Sequence, residues 1–257
     1  MTNFHTHTTF CDGKDSAEEM VRAAIARGFT ALGFSSHSDM VSDLAAYRAE
    51  IARLREAYAD RIKIFCGLEL ELAKMTDDRR PTSGIGDGTF DYLIGSHHFI
   101  TAPDGGFFAF DHAPVILSDG IRDHFDGDAA AFVKAYYAAL RSTLALDFQI
   151  VGHPDLVRKF NVKHPYFDET ADWYRGELEA TADAIAKSGK IVEVNTGAIS
   201  RGWIDDAYPS AEFRALLRAR GVRFVLSSDA HAAEALDCAF DRFGSAERYV
   251  GIYDIMR

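Results

Sequence analysis

Short apolar runs alternate with longer amphipathic stretches along most of the chain. The stretch "SAEEMVRAAIARG" predicts a helix, because Ser16 and Glu19 have the spacing of a capping box and Gly28 stands where a helix ends. A second helix is predicted by an apolar stripe formed by Leu44, Tyr47, Ile51, Leu54 and Tyr58. Further helical patterns cover 129–145, 169–189 and 211–221.

The apolar runs between these helices predict about seven strands, at 3–7, 29–37, 61–72, 90–99, 148–153, 190–196 and 222–231. Strands that alternate with helices indicate right-handed βαβ units and a parallel sheet. We predict one domain over residues 1–257, with polar inserts at about 74–89 and 100–127 that interrupt the alternation of strands and helices. Long inserts of this kind are often lids or binding loops.

Side chains that can bind metals fall where the predicted strands end. They are His5, His7, His37, Glu69, His97, His98, His153, Asp229 and His231, with Glu193 and Asn195 on the sixth strand. The carboxyl ends of the strands of a βα barrel meet on one face, whereas an open sheet would spread these groups along a line. The pattern therefore favours a closed barrel with its active site on that face.

The spacing within these segments predicts metal ligation. His5 and His7 are two residues apart, so on a strand both would point to one face, and Asp229 and His231 repeat that spacing. Imidazole and carboxylate ligands suit Zn, Mn and Fe. Each short motif alone is weak, but chance agreement among six strand ends is improbable.

Composition limits the class of partner. The formal net charge of −11 argues against a nucleic-acid groove, although bound metal ions could still attract a small phosphorylated substrate. Three scattered cysteines predict a reducing compartment, the cytoplasm, and no disulfide framework. We find no apolar run long enough for a membrane span and no secretory leader pattern, while the oligomeric state is not predicted.

Seven segments together resemble the polymerase-and-histidinol-phosphatase (PHP) family, in order and over nearly the whole chain. These segments are "FHTHTTFCDG", "GFSSHSD", "GLELE", "DYLIGSHHFI", "VGHPDLVRKF", "VEVNTGAISR" and "LSSDAH". The resemblance implies a distorted seven-stranded (βα)7 barrel, TIM-like in outline, with three divalent or trivalent ions of Zn, Mn or Fe. It also implies hydrolysis of a small phosphate ester, L-histidinol phosphate in histidine biosynthesis, by attack of a metal-bound hydroxide.

The resemblance implies a ligand set for each ion. The first ion would take His5, His7, Glu69 and Asp229, the second would share Glu69 and add His98 and His153, and the third would take Asp12, His37 and His231. His98 is preferred to His97 because family members place the ligand directly before a Phe. Asp12 stands where many members carry histidine, which predicts a weaker third site or one that prefers a harder metal.

The resemblance favours substrate binding by Arg158 and Arg201, since a forked guanidinium suits phosphate, although on residue type alone Arg158 could equally be a surface arginine. We also predict substrate contacts for Glu193, whose carboxylate suits the ammonium of histidinol, and for His97. Glu193 could equally be a hydrogen-bonded interior residue, and His97 a packed neighbour of the ligand. Catalytic roles are predicted for Asp12, His37, Asp229 and His231, with the general acid open among Asp12, His37, His231 and a bound water.

Three other functions are compatible with parts of this pattern. The first is a PHP phosphatase or phosphodiesterase for another small phosphate. The second is an amidohydrolase-type barrel, which also opens with two histidines but commonly needs a bridging lysine that we do not find at a strand end. The third is a non-catalytic metal-binding module, which would be expected to have lost ligands.

Overall fold

The computed structural model describes residues 1–75, 89–245 and 248–255. Seven parallel strands form one sheet. They are β1 (Thr2–Asn3), β2 (Ala31–Phe34), β3 (Lys63–Glu71), β4 (Tyr92–Ser96), β7 (Ile150–Val151), β8 (Ile191–Asn195) and β9 (Phe224–Ser227), and they are neighbours in the sheet in this order. Strands β5 (Phe99–Thr101) and β6 (Phe107–Ala109) form a separate two-stranded sheet. Beyond β1 and β9, Thr6 pairs in parallel with Ala230, and the backbone N–H of His7 donates to the carbonyl of Ala230 over 2.8 Å. The sheet is thus a nearly closed barrel, as predicted.

Helices follow the strands on the outside of this barrel. They are α1 (Ala17–Ala26), α2 (Leu44–Ala57), α3 (Leu72–Met75), α4 (Pro114–His124), α5 (Ala129–Thr143), α6 (Asp172–Ser188), α7 (Gly197–Ser200), α8 (Ala211–Ala219), α9 (Phe240–Phe243) and α10 (Ile252–Ile255). The predicted capping box of Ser16 and Glu19 is present at the start of α1. Tyr47, Ile51 and Leu54 of α2 are fully buried, which confirms the predicted stripe.

The inside of the barrel is filled by side chains below the level of the predicted ligands. Tyr92 lies across it, and its hydroxyl donates to the carbonyls of Phe4 over 2.6 Å and Phe34 over 3.1 Å. A Cβ at Gly33 would lie 2.4 Å from that hydroxyl oxygen, so glycine there makes room for the ring. Helix α10, which was not predicted, packs Ile252 and Ile255 against this interior cluster. The packed interior leaves the opposite, carboxyl-end face for chemistry.

The insert predicted at 100–127 has structure of its own. It contains part of the antiparallel hairpin of β5 (Phe99–Thr101) and β6 (Phe107–Ala109), followed by α4. Its turn includes Asp104, Gly105 and Gly106, a hairpin signal in the sequence that our prediction did not use. The insert predicted at 74–89 lies almost entirely outside the described residues. Among the helices that are described, none has both the length and the apolar character needed to cross a membrane.

Candidate active site

The carboxyl-end face of the barrel holds a cavity of about 290 Å³. Its described lining consists of Asp12, His37, Asp39, Met40, Glu71, His98, Phe99, Ala109, Asp111, His112, His153, Leu156, Lys159, Arg201, Asp229 and His231. All four predicted catalytic residues are among them. His5, His7 and Glu69 lie just beneath and are almost fully buried. The structure therefore brings all nine predicted ligands to one place.

The first predicted ligand set converges closely. Nε2 of His5 lies 3.3 Å from Oε2 of Glu69 and 3.6 Å from Oδ1 of Asp229. Nε2 of His7 lies 3.5 Å and 3.1 Å from the same two oxygens. Ligand atoms about 2.0–2.2 Å from a tetrahedral zinc ion are about 3.4 Å apart, so these four side chains have the spacing of a coordination shell.

The second and third sets adjoin the first through Glu69 and Asp229. Oε1 of Glu69 lies 3.0 Å from Nε2 of His153 and 3.5 Å from Nε2 of His98. Oδ2 of Asp12 lies 3.3 Å from Nε2 of His231, and its Oδ1 lies 3.7 Å from Nε2 of His37. The two oxygens of Glu69 thus face different histidines, which is the arrangement a bridging carboxylate needs.

Unpartnered buried atoms support metal binding at this cluster. Nε2 of His5, Nε2 of His7 and Oε2 of Glu69 are buried and have no hydrogen-bond partner among the described residues. Buried polar atoms are normally paired, and each exception calls for an explanation. Because all three atoms point into one cluster of ligand-type groups, cations fit there.

Two further carboxylates fix the rings of ligand histidines. Oε2 of Glu193 lies 2.8 Å from Nδ1 of His5, and Oε2 of Glu71 lies 3.0 Å from Nδ1 of His98. A carboxylate that accepts the Nδ1 proton leaves Nε2 free to bind metal. Glu193 also accepts from the backbone N–H of His153 over 2.7 Å and from the Ser227 hydroxyl over 2.5 Å. Its oxygens are occupied and it does not line the cavity, so its predicted contact with substrate does not fit this placement.

The charge environment keeps Glu69 ionised and His7 neutral, which are the forms that bind metal, and it favours positive charge at His98. Burial raises the pKa of Glu69, but His5, His37 and His98 outweigh burial and hold that pKa well below its usual range. Burial, with His231 and His37, lowers the pKa of His7 well below its usual value, so its ring is neutral. For His98, burial lowers the pKa, but Glu69 and Glu71 outweigh burial and raise it to about 10. These carboxylates favour positive charge at His98, which a metal ion would supply.

The two predicted phosphate-binding arginines occupy different environments. Arg201 lines the cavity, where its Nη1 donates to Oδ2 of Asp229 over 3.2 Å and its Nη2 lies 2.9 Å from Nδ1 of His231. Arg158 is buried away from the described lining, paired with Glu169 at 2.5 Å and Asp155 at 3.3 Å. Its predicted contact with substrate does not fit this placement, because its guanidinium is held by two carboxylates. Lys159, its neighbour in sequence, faces the cavity instead.

Comparisons with known proteins identify the family. A sequence model of the PHP domain matches residues 3–197. The chain belongs to the PHP domain family. A curated relative from Deinococcus radiodurans, named "Probable histidinol-phosphatase", is 28% identical to this PHP protein over 246 residues, which cover 88% of this chain and 85% of the relative.

Solved structures agree with this PHP fold. A crystal structure of a candidate histidinol phosphatase from Listeria monocytogenes superposes with a TM-score of 0.80 at 20% identity, over 95% of this chain and 100% of that chain. The histidinol phosphate phosphatase of Lactococcus lactis, crystallised with zinc, L-histidinol and phosphate, superposes with a TM-score of 0.66 at 22% identity, over 90% of this chain and 86% of that chain. At these identities the likeness establishes the fold.

Three residues that our predictions did not include shape the site of this PHP domain. Glu71 follows Glu69 at a two-residue interval in "GLELE", so both side chains point to the same face of β3, and this spacing is a signal that was present in the sequence. Asp111 and Lys159 line the cavity from the insert and from the turn after β7. Their sequence surroundings carry no comparable signal.

The adjacent histidines His97 and His98 point to different partners. His98 faces Glu69 and the cavity, whereas Nε2 of the buried His97 lies 3.0 Å from the hydroxyl of Thr143 on α5. Burial lowers the pKa of His97 to about 3, so the ring is neutral at pH 7. A substrate contact for His97 does not fit this placement, because its ring lies between the barrel and α5.

Substitution of these two histidines is expected to separate metal binding from stability. His98→Ala should lower the metal content of the purified protein, since it removes a ligand atom. His97→Phe should leave the metal content unchanged and lower the free energy of unfolding by about 1 kcal/mol, the usual net value of one hydrogen bond. Elemental analysis and urea unfolding of both variants provide the check, and metal loss in His97→Phe would contradict the assignment.

Proposed function

We propose that this protein is a metal-dependent phosphomonoesterase that hydrolyses L-histidinol phosphate to L-histidinol and phosphate. One observation of the cavity in this PHP-family enzyme carries the proposal. Nine imidazole and carboxylate ligands converge beside the guanidinium of Arg201, the one arginine in the described part of the cavity lining. The choice of substrate is supported by the relatives named histidinol-phosphatase and by the ligands in the Lactococcus lactis structure.

We assign three ions of Zn, Mn or Fe to the three ligand sets. His5, His7, Glu69 and Asp229 would hold the first ion, Glu69, His98 and His153 the second, and Asp12, His37 and His231 the third. Bound ions of this kind supply a nucleophile at neutral pH and neutralise charge on the phosphate. Glu69, whose two oxygens face different histidines, would keep the first two ions close together.

The chain's own residues orient the substrate around these ions. Arg201 is held by Asp229 while its guanidinium faces the cavity, so it can donate to phosphate oxygens without reordering. Nδ1 of His231 lies 2.9 Å from the carbonyl oxygen of Asp229, which turns its Nε2 toward Asp12. Asp12 and His231 are the most exposed of the nine ligands, and His37 adjoins Asp12. We place proton donation to the leaving oxygen among these three residues or on a bound water.

The test is phosphate release by the purified, metal-loaded protein. Histidinol phosphate should be hydrolysed with a higher kcat/KM than a panel of sugar, nucleotide and amino-alcohol phosphates, and chelator should abolish the activity. Equal or better turnover of a panel member would contradict histidinol phosphate as the substrate, but it would still be consistent with a phosphatase. Absence of phosphate release from every ester would overturn the function.

The third ion is expected to leave before the other two. The side chains of Asp12 and His231 are 40% and 23% exposed, those of His98 and His37 are 16% and 13% exposed, and the other five ligands are at most 8% exposed. Timed treatment with a chelator, followed by elemental analysis, should therefore show one ion lost quickly and two retained. Asp12→Asn should lower the stoichiometry from three ions to two. Simultaneous loss of all ions, or three ions in Asp12→Asn, would contradict the assignment.

A further inference from the structure

One wall of the cavity belongs to the insert rather than to the ligand-bearing strand ends. Phe99, Ala109, Asp111 and His112 form this wall, which we call the insert wall. Phe99 is held by parallel stacking on Phe107, with ring centroids 5.0 Å apart and an interplanar angle of 8°. With the phosphate held by the ions and Arg201, the alcohol part of the substrate has the insert wall as a neighbour.

In the described part of the lining, three carboxylates do not belong to the nine ligands, and a different group binds each of them. Glu71 is committed to the backbone N–H and Nδ1 of His98, at 2.9 and 3.0 Å. Oδ2 of Asp39 is paired with Lys74 at 2.5 Å. Oδ2 of Asp111 accepts from Lys159 over 3.1 Å, and neither Oδ1 of Asp111 nor Oδ1 of Asp39 has a donor among the described residues.

Lys159 fixes Asp111 at two points. Its Nζ donates to the backbone carbonyl of Asp111 over 2.7 Å as well as to the carboxylate. Burial raises the pKa of Asp111, but Lys159 and His98 outweigh burial and lower that pKa, so the carboxylate is ionised. Asp111 lines the same cavity as His98 and Arg201. Asp111 is therefore an ionised, preoriented carboxylate beside the predicted phosphate position.

We propose that Asp111 binds the ammonium group of the leaving amino alcohol and that Lys159 is the residue that positions it. This inference rests on the proposed function. It makes Asp111 the group that distinguishes an aminated alcohol from the same alcohol without its amine. Met40, Phe99 and Leu156 are apolar residues of the same cavity lining and are available to the carbon chain and ring of the substrate.

The test measures binding of two alcohols that differ only in the amine. Histidinol and 3-(imidazol-4-yl)propan-1-ol are titrated into the metal-loaded protein by calorimetry, with inorganic phosphate as a third ligand. The wild-type protein should prefer histidinol by roughly ten- to a hundredfold, the range for one hydrogen bond to a charged group. Asp111→Asn should reduce that preference to within about twofold while it changes phosphate affinity far less.

Matched variants separate this role from a general loss of structure. Asp119→Asn removes a carboxylate from α4 that is 48% exposed and pairs with Arg122 outside the cavity, and it should keep the wild-type preference. Lys159→Met leaves Asp111 in place but unsupported and should lose part of the preference. If Asp111→Asn keeps the preference, or if Asp39→Asn abolishes it instead, the inference is wrong.

Failure of the proposed function would look different. A wild-type protein that neither hydrolyses histidinol phosphate nor binds histidinol would refute the function before any variant is compared. A different result is a wild-type protein that shows both activities while Asp111→Asn lowers the affinity for histidinol, for its desamino analogue and for phosphate by the same factor. That result would refute only the role of Asp111. The second pattern would mean that Asp111 acts on the ion cluster.

Discussion

Glu69→Gln is expected to lower kcat/KM for phosphate release by more than about a thousandfold, equivalent to about 4 kcal/mol of transition-state stabilisation. Glutamine has nearly the same shape but has no negative charge and only one acceptor oxygen. It cannot serve both His5 and His7 on one side and His98 and His153 on the other, as the two oxygens of Glu69 do. Steady-state kinetics of the reloaded variant, with its metal content and circular dichroism spectrum, provide the measurement.

A graded control comes from a second buried glutamate. Glu193→Gln leaves all nine ligands in place and disturbs only the bond to Nδ1 of His5 and its neighbours, so a loss of about ten- to a hundredfold is expected. His7→Ala and Asp229→Asn each remove a proposed ligand of the first ion, so kcat/KM should fall as far as it does in Glu69→Gln. Near-normal turnover in Glu69→Gln, or a larger loss in Glu193→Gln than in Glu69→Gln, would contradict the ligand assignment.

Arg201→Met is expected to lower kcat/KM by roughly a hundredfold or more, and to weaken inhibition by inorganic phosphate, with little change in stability. Methionine keeps an unbranched stem and removes the guanidinium that faces the cavity. Phosphate-release kinetics with added inorganic phosphate, together with urea unfolding, measure both effects.

Arg158→Met is the matched comparison, because both arginines were predicted to bind phosphate. It breaks a buried pairing with Asp155 and Glu169, so the free energy of unfolding should fall by about 3–5 kcal/mol. The folded fraction should retain turnover within a few-fold. A catalytic loss in Arg158→Met as large as that in Arg201→Met would show that Arg158 reaches the substrate.

Most of the barrel could be predicted because its elements have local causes. The capping box of α1, the stripe of α2 and the apolar strands are properties of short segments, and the alternation of strand and helix indicates a parallel sheet. The ligand cluster was also predictable, since parallel strands place their carboxyl ends on one face. Helix α10 was missed because its four residues carry no periodic pattern and are ordered by packing against the barrel interior.

Side-chain roles that depend on partners distant in sequence could not be predicted. A buried Glu193 could have faced substrate or a neighbour, and only its contact with His5, 188 residues away, decides between them. His97 and His98 are adjacent, so their side chains diverge, and which of them faces the cavity depends on the register of β4. Arg158 and Lys159 are also adjacent, and only one of their side chains faces the cavity. Because Asp155 and Glu169 hold Arg158 away from the cavity, the side chain that faces it is that of Lys159.

Anomalous diffraction from crystals of the protein saturated with zinc or manganese would locate every ion. We predict three peaks on the carboxyl-end face of the barrel. One should lie among His5, His7, Glu69 and Asp229, one among Glu69, His98 and His153, and one among Asp12, His37 and His231, each about 2.0–2.3 Å from its ligand atoms. An absence of peaks among these residues in metal-saturated crystals, or peaks bound by other side chains, would contradict the metal centre and the hydrolysis that depends on it.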